Sequence, residues 1–150
     1  MAKILTYSFL DVSAAIVGPG LVTDLGAGSS SDKEGISVTF NGNVNTMDIG
    51  ADGRGQHSLS ADRSGTVTVR LLRMSSINAV LMAAANYQRS SAKYHGQNTI
   101  SITDKVKGDI VIAQVCAFQK IPNLSFGEAA GVVEWIFESI EIQPALGNGV

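Results

Sequence analysis

Residues 47–72 read MDIGADGRGQHSLSADRSGTVTVRLL, with Asp48, Asp52, Arg54, His57, Asp62 and Arg63 set among glycines. Such a stretch could hold a metal, cradle a phosphate or carry a catalytic loop. A calcium loop needs oxygens at short alternate spacing and a bidentate Glu beyond its glycine. Here Asp48 and Asp52 stand four apart and no Glu follows in the loop. Zinc needs clustered Cys and His, but Cys116, His57 and His95 lie far apart in the chain. The glycines of GADGRG do not open a helix through Gly-Lys-Ser/Thr, as a phosphate loop requires; a strand pattern follows instead. His57 has Ser58 beside it and Asp52 and Asp62 near it, without a strand-to-helix G-x-S-x-G elbow to expose a nucleophile. His57 and His95 are therefore read as solvated or interface histidines. Glu134, Glu138 and Glu141 fall on one late strand, where a glycosidase pair would be conceivable. A single Trp and few aromatics argue against a sugar cleft. No cofactor is expected.

The bounds agree with a chain of scaffold rather than chemistry. Its 150 residues suit one domain spanning 1–150, and 45% hydrophobic residues suffice for a core. The net charge of −2, from 11 basic and 13 acidic residues, lacks the basic excess of a dedicated nucleic-acid binder. One cysteine permits no internal disulfide and fits a reducing compartment. Cys116 sits in the apolar run IVIAQVCAFQ, where nothing would stabilise a thiolate, so an inert buried thiol is expected. The opening MAKILTYSFL is too short in apolar residues for a secretion signal. No run approaches the roughly 18 apolar residues of a membrane span.

Most segments carry the period of two that marks strands. KILTYSFL and VSAAIV open the chain, split at Asp11 and ended by GPG at Gly18–Gly20. Residues 21–35 read as a flexible loop by composition. ISVTF places Ile36, Val38 and Phe40 against Ser37 and Thr39. NGN at 41–43 reads as a tight hairpin turn leading into VNTMDI. Residues 50–64 form a long loop before GTVTVRLL, which sets Val67, Val69 and Leu71 against Thr66, Thr68 and Arg70. SSINAVLMAAANYQR is the one convincing helix, capped by Ser75 or Ser76, with Ile77, Val80, Leu81 and Ala84 as its buried stripe. After the polar turn DKVKGD, IVIAQVCAFQKI reads as a strand covered on both faces. VVEWIFESIEIQ is the last strand, with Val133, Trp135 and Phe137 on one side, and PALGNGV a loose tail. The expected architecture is mainly β, a β-sandwich or open barrel with one flanking helix. Its long strands need their edges hidden, and a symmetric assembly could pair them across subunits.

The segments YSFLDVSAAIVGPG and ISVTFNGNVNTMDIGADGRGQHSLSADRSGTVTVRLLRMSSINAVL resemble the tail tube proteins of contractile-tailed bacteriophages, a likeness running from about Tyr7 to Ile142. The resemblance implies a structural virion protein without an active site. Hexameric rings would join their strands into a continuous barrel and stack into an inner tube, through which DNA is ejected. The implied partners are further copies of the chain, a sheath protein, and baseplate and tail terminator proteins. A tape measure protein and genomic DNA would occupy the lumen transiently, and no membrane is involved. The implied location is the virion, assembled in the host cytoplasm. Alternatives are a tube initiator or terminator, a secretion-tube component, or a small-ligand β-barrel. On this reading Asp52, Arg54, His57, Asp62 and Arg63 belong to a loop between rings. Ser37, Thr39, Asn41, Thr66 and Thr68 are candidates for the lumen face, where neutral groups and some carboxylates would let DNA slide. Arg70 continues that face and is expected at a rim or paired with an acid.

Overall fold

A computed structural model describes residues 4, 6–25 and 31–148. Among these residues nine strands and one α-helix run β1 Val12–Gly18, β2 Leu21–Asp24, β3 Ser31–Phe40, β4 Asn45–Ile49, β5 Gly55–Leu59, β6 Gly65–Leu72, α1 Ile77–Arg89, β7 Asn98–Asp104, β8 Ile110–Phe118 and β9 Val132–Ala145. Seven strands form one antiparallel sheet in the order β2-β1-β7-β8-β9-β6-β3, and among the described residues β4 and β5 pair only with each other. Among the described residues the two end strands, β2 and β3, do not pair to close a barrel.

Alternation builds the core. Val67, Val69 and Leu71 of β6 stand beside Phe137, Trp135 and Val133 of β9 and point inward with Ile16 and Ile100. Leu81, Ala84 and Ala85 of α1 lie against that inner face. The helix sits slightly rotated from its expected stripe. Leu81, Ala84, Ala85 and Gln88 are buried, while Val80 is 42% exposed. Ser75 Oγ accepts from the Ile77 amide at 3.3 Å, and Ser76 makes no capping bond with its side chain.

Gln88 holds the helix to the sheet. Its side chain exchanges two 2.8 Å hydrogen bonds with Asn98, and Asn98 also donates to the Cys116 carbonyl. Both amides are buried. Gln88→Ala leaves the Asn98 amide short of a partner, so a loss of about 1–3 kcal/mol is expected in urea unfolding.

Several local expectations change. Described residues 4 and 6–8 are not strand, and Phe9–Asp11 make a 3-10 turn. Lys3 and Leu5 of the expected first strand lie outside the described residues. Leu21–Asp24, expected as loop, pair with β1 across the Pro19–Gly20 turn, and residues 31–35 belong to β3. Residues 26–30 of that expected loop, and 149–150 of the expected tail, lie outside the described residues. The tail begins later than expected, because β9 runs on through Pro144 to Ala145.

β8 is not covered on both faces. Ala113 and Cys116 both point inward, three residues apart, because a bulge against β7 lies between them. At that bulge Val115 adopts φ 54° and is 46% exposed. A β-branched side chain is strained there by about 1–2 kcal/mol. Val115→Asn, whose side chain tolerates this conformation, is expected to raise stability by about 1 kcal/mol in thermal or urea melts.

Candidate functional site

The stretch between β3 and β6 is not a loop. β3 pairs directly with β6, from Ile36↔Val69 to Phe40↔Gly65, so the residues between them leave the sheet together. NGN does not turn β3 back onto the next strand. Instead the chain crosses a neck and β4 pairs with β5, Asn45↔Leu59 through Ile49↔Gly55. Closing this arm needs only the turn at 50–54. There the Gly50 amide donates to the Arg54 carbonyl at 2.7 Å, and Gly53 takes φ 88°.

The neck is specified by polar contacts. Asn41 extends the β3–β6 ladder by one bond to the Ser64 carbonyl, and its side-chain amide donates to Ser64 Oγ at 3.1 Å. Asp62 Oδ1 accepts from the Ser64 amide at 2.9 Å, and its hydrogen bonds with Ser64 lower its pKa. A side chain at Gly42 would lie 2.7 Å from the Asp62 carboxylate, so glycine fits here. The Arg63 carbonyl accepts from the Ile142 amide, tying the neck to β9.

Beyond the neck every arm residue is exposed. Five-residue strands make it about 17 Å long. One face carries Asn45, Met47 and Ile49 with Leu59, His57 and Gly55; the other carries Thr46 and Asp48 with Ser58 and Gln56. Met47, Ile49 and Leu59 are 58%, 60% and 84% exposed. That side of the arm therefore carries three exposed apolar side chains around the Asn45–His57 pair, with none of the described residues of its own subunit packed on it. A lone two-stranded hairpin is marginal in water.

The structure thus separates the five residues assigned to this stretch. Asp52 and Arg54 lie at the tip, 3.8 Å apart as an exposed ion pair, His57 lies on the arm, and Asp62 and Arg63 lie at the neck. His57 Nδ1 is 2.9 Å from Asn45 Nδ2, and Ser58 lies on the opposite face, so no Ser–His pair forms. Among the described residues no group of three His, Cys, Asp or Glu is placed to hold a metal. Cys116 is buried, and burial raises its thiol pKa. Reading the sequence missed the arm's apolar face. The alternation of Met47 and Ile49 was the available signal.

The hydroxyl residues do converge. Ser37 stands opposite Thr68 and Thr39 opposite Thr66, on the sheet face away from the core, with Asn41 following at the neck. The neighbouring β9 adds Glu138 opposite Thr66 and Glu134 opposite Arg70. Arg70 lies 3.3 Å from Glu134 and donates to Ser37 Oγ at 3.1 Å. Gln119 donates to Glu138 at 2.9 Å. Ile136 stands opposite Thr68 on the same face, which thus mixes hydroxyls and carboxylates with this apolar side chain, its one cation among these residues being paired.

Residues 4–147 match the family described as Bacteriophage PhiTE tail tube protein. Two solved structures share the fold. The anti-feeding prophage cap, a tube terminating cap, gives a TM-score of 0.61 at 6% identity, covering 98% of this chain and 95% of that one. The anti-feeding prophage baseplate, 6-fold symmetrised, gives 0.60 at 10% identity, covering 100% of both chains. No curated protein sequence matches.

Proposed function

The chain belongs to the bacteriophage PhiTE tail tube protein family, and from that premise we propose that it builds an inner tail tube by stacking hexameric rings. It acts as one domain and as structure, not as an enzyme. Rings form when the end strands β2 and β3, unpaired with each other among the described residues, join neighbouring copies into a continuous barrel. The observation that carries stacking is the arm, whose apolar side no described residue of its own subunit covers. Met47, Ile49 and Leu59 supply the apolar contact to the next ring. Asp52 and Arg54 at the tip add polar pairing, which fixes register more than affinity.

The outward face of Ser37, Thr39, Asn41, Thr66 and Thr68 lines the lumen on this reading. The carboxylates of that face repel phosphate rather than holding it, so DNA can slide through. Sheath, baseplate, terminator and tape measure proteins complete the tail, which is assembled in the host cytoplasm and carried in the virion.

The test is negative-stain microscopy with sedimentation of the purified chain. Rings or tubes are expected. A monomer at every protein and salt concentration would overturn the reading. A second reading is favoured by the two structural likenesses, to a tube terminating cap and a baseplate: the chain begins or ends a tube. Single rings that never lengthen would select it over the main tube.

A further inference from the structure

We infer that a cleft at the C-terminal end of α1 is a socket for residues 124–128 of a second copy of this chain. The inference rests on the self-assembly proposed above and names two patches that meet. The cleft measures about 370 Å³ and is lined by Ala85, Phe118 and Ile121 together with polar residues that include Arg89, His95 and Lys120. Among the described residues no acidic side chain lines it. Arg89 and Lys120 form no ion pair among the described residues. A cleft that joins apolar side chains to two cations, in a chain of net charge −2, fits a segment that combines an aromatic anchor with a carboxylate.

The chain exposes such a segment between β8 and β9. Phe126 is 85% exposed and Leu124 47%. Glu128, two residues on, is exposed and forms no ion pair among the described residues. Arg73 lies 5.1 Å from the centre of the Phe126 ring, steadying it from one side. Aromatic anchors entering pockets carry most of the affinity at protein contacts, and surrounding charges set the register.

The two patches do not meet within one subunit. Leu124 lies beside Ser75, Asn78 and Met82 at the start of α1, whereas the cleft lies beside Gln88 and Arg89 at its end. From residue 78 to residue 89 the helix advances about 16 Å. A projection and a socket at separate places make a heterologous contact, which every copy repeats until a ring closes or a filament grows.

The experiment traps the contact by disulfide. Cys116 is buried and serves as a silent native thiol. Glu128→Cys and Lys120→Cys subunits, mixed and assembled, are expected to give mainly a 128–120 dimer on oxidation. The double variant is expected to give a ladder of oligomers. Each single variant alone should give little product, because a disulfide needs Cα atoms within about 7 Å. Separately, Glu128→Lys should raise the concentration needed for assembly about tenfold, and adding Lys120→Glu in the same chain should restore it. Assemblies seen by microscopy that give no 128–120 product overturn this contact and leave the tube reading standing. A product dominated by 128–128 pairs would mean a two-fold contact and also overturns it. Wild-type chain that stays monomeric overturns both.

Discussion

Met47→Asp with Ile49→Asp yields a subunit that folds normally and makes no tubes. Both side chains stand clear of the subunit core, at 58% and 60% exposure. Replacing them removes no core contact, and surface changes of this kind shift stability by about 0.5 kcal/mol or less. In the stack the same two positions would be buried against the next ring. A carboxylate left unpaired there costs several kcal/mol of desolvation. The cost recurs at every copy around a ring, so assembly should fail outright. Circular dichroism and melting report the fold, and microscopy and sedimentation report assembly. Replacing residues 51–63 with a short Gly/Ser linker is the coarser companion. It removes β5 and should also leave the sheet intact, because β3 and β6 pair without it. Long tubes from a folded double variant would sink the stacking role of the arm. An unfolded variant would show that the arm belongs to the subunit's own core.

The arm also shows where sequence reading ran short. Alternation along GTVTVRLL and VVEWIFESIEIQ set Val67, Val69, Val133, Trp135 and Phe137 inward, and the structure places them there. Those strands have one buried face, so pattern and burial coincide. VNTMDI alternates just as well, yet all of β4 is exposed. Alternation reports which residues share a face, but not whether the face meets the subunit's own core or another molecule. The NGN turn failed for a related reason. Asn and Gly permit a reversal, but here Gly42 serves close approach to Asp62 and Asn41 serves the ladder to Ser64. Which of two local turns closes the hairpin depends on the pairing of β3 with β6, a contact across the whole arm. Val115 gave no signal at all, since nothing in IVIAQVCAF marks a left-handed residue. The hydroxyl face was legible in part. The alternation of Ser37, Thr39, Thr66 and Thr68 was readable. That β9 would bring Glu134 to Arg70 was not, because strand order across the sheet is not written in either segment alone.

Trp135→Ala is expected to unfold the subunit and, through that, to abolish assembly. The indole is 1% exposed and joins three parts of the fold. It lies in β9 opposite Val69 of β6, and its ring meets Phe118 of β8 edge-on at 5.8 Å. Its Nε1 donates to Asn78 Oδ1 at 3.0 Å, in the first turn of α1. The Asn78 amide in turn donates to the Leu72 and Arg73 carbonyls, so the indole also steadies the passage from β6 into the helix. Truncating a buried aromatic to alanine costs about 3–5 kcal/mol. Total stability of a small domain is about 5–15 kcal/mol, so a subunit near the lower end of that range keeps little or no margin. Trp135→Phe separates the two contributions. It keeps most of the packing and loses the hydrogen bond to Asn78, so a loss of about 1–3 kcal/mol is expected. Urea unfolding followed by far-UV circular dichroism measures both, since the variants lose the chain's single tryptophan as a probe. An alanine variant that melts with the wild type would show that β9 does not need the indole to hold the helix. The contrast with the arm is the sharper outcome. Arm variants lose assembly while keeping the fold, whereas Trp135→Ala loses assembly only because the fold goes first.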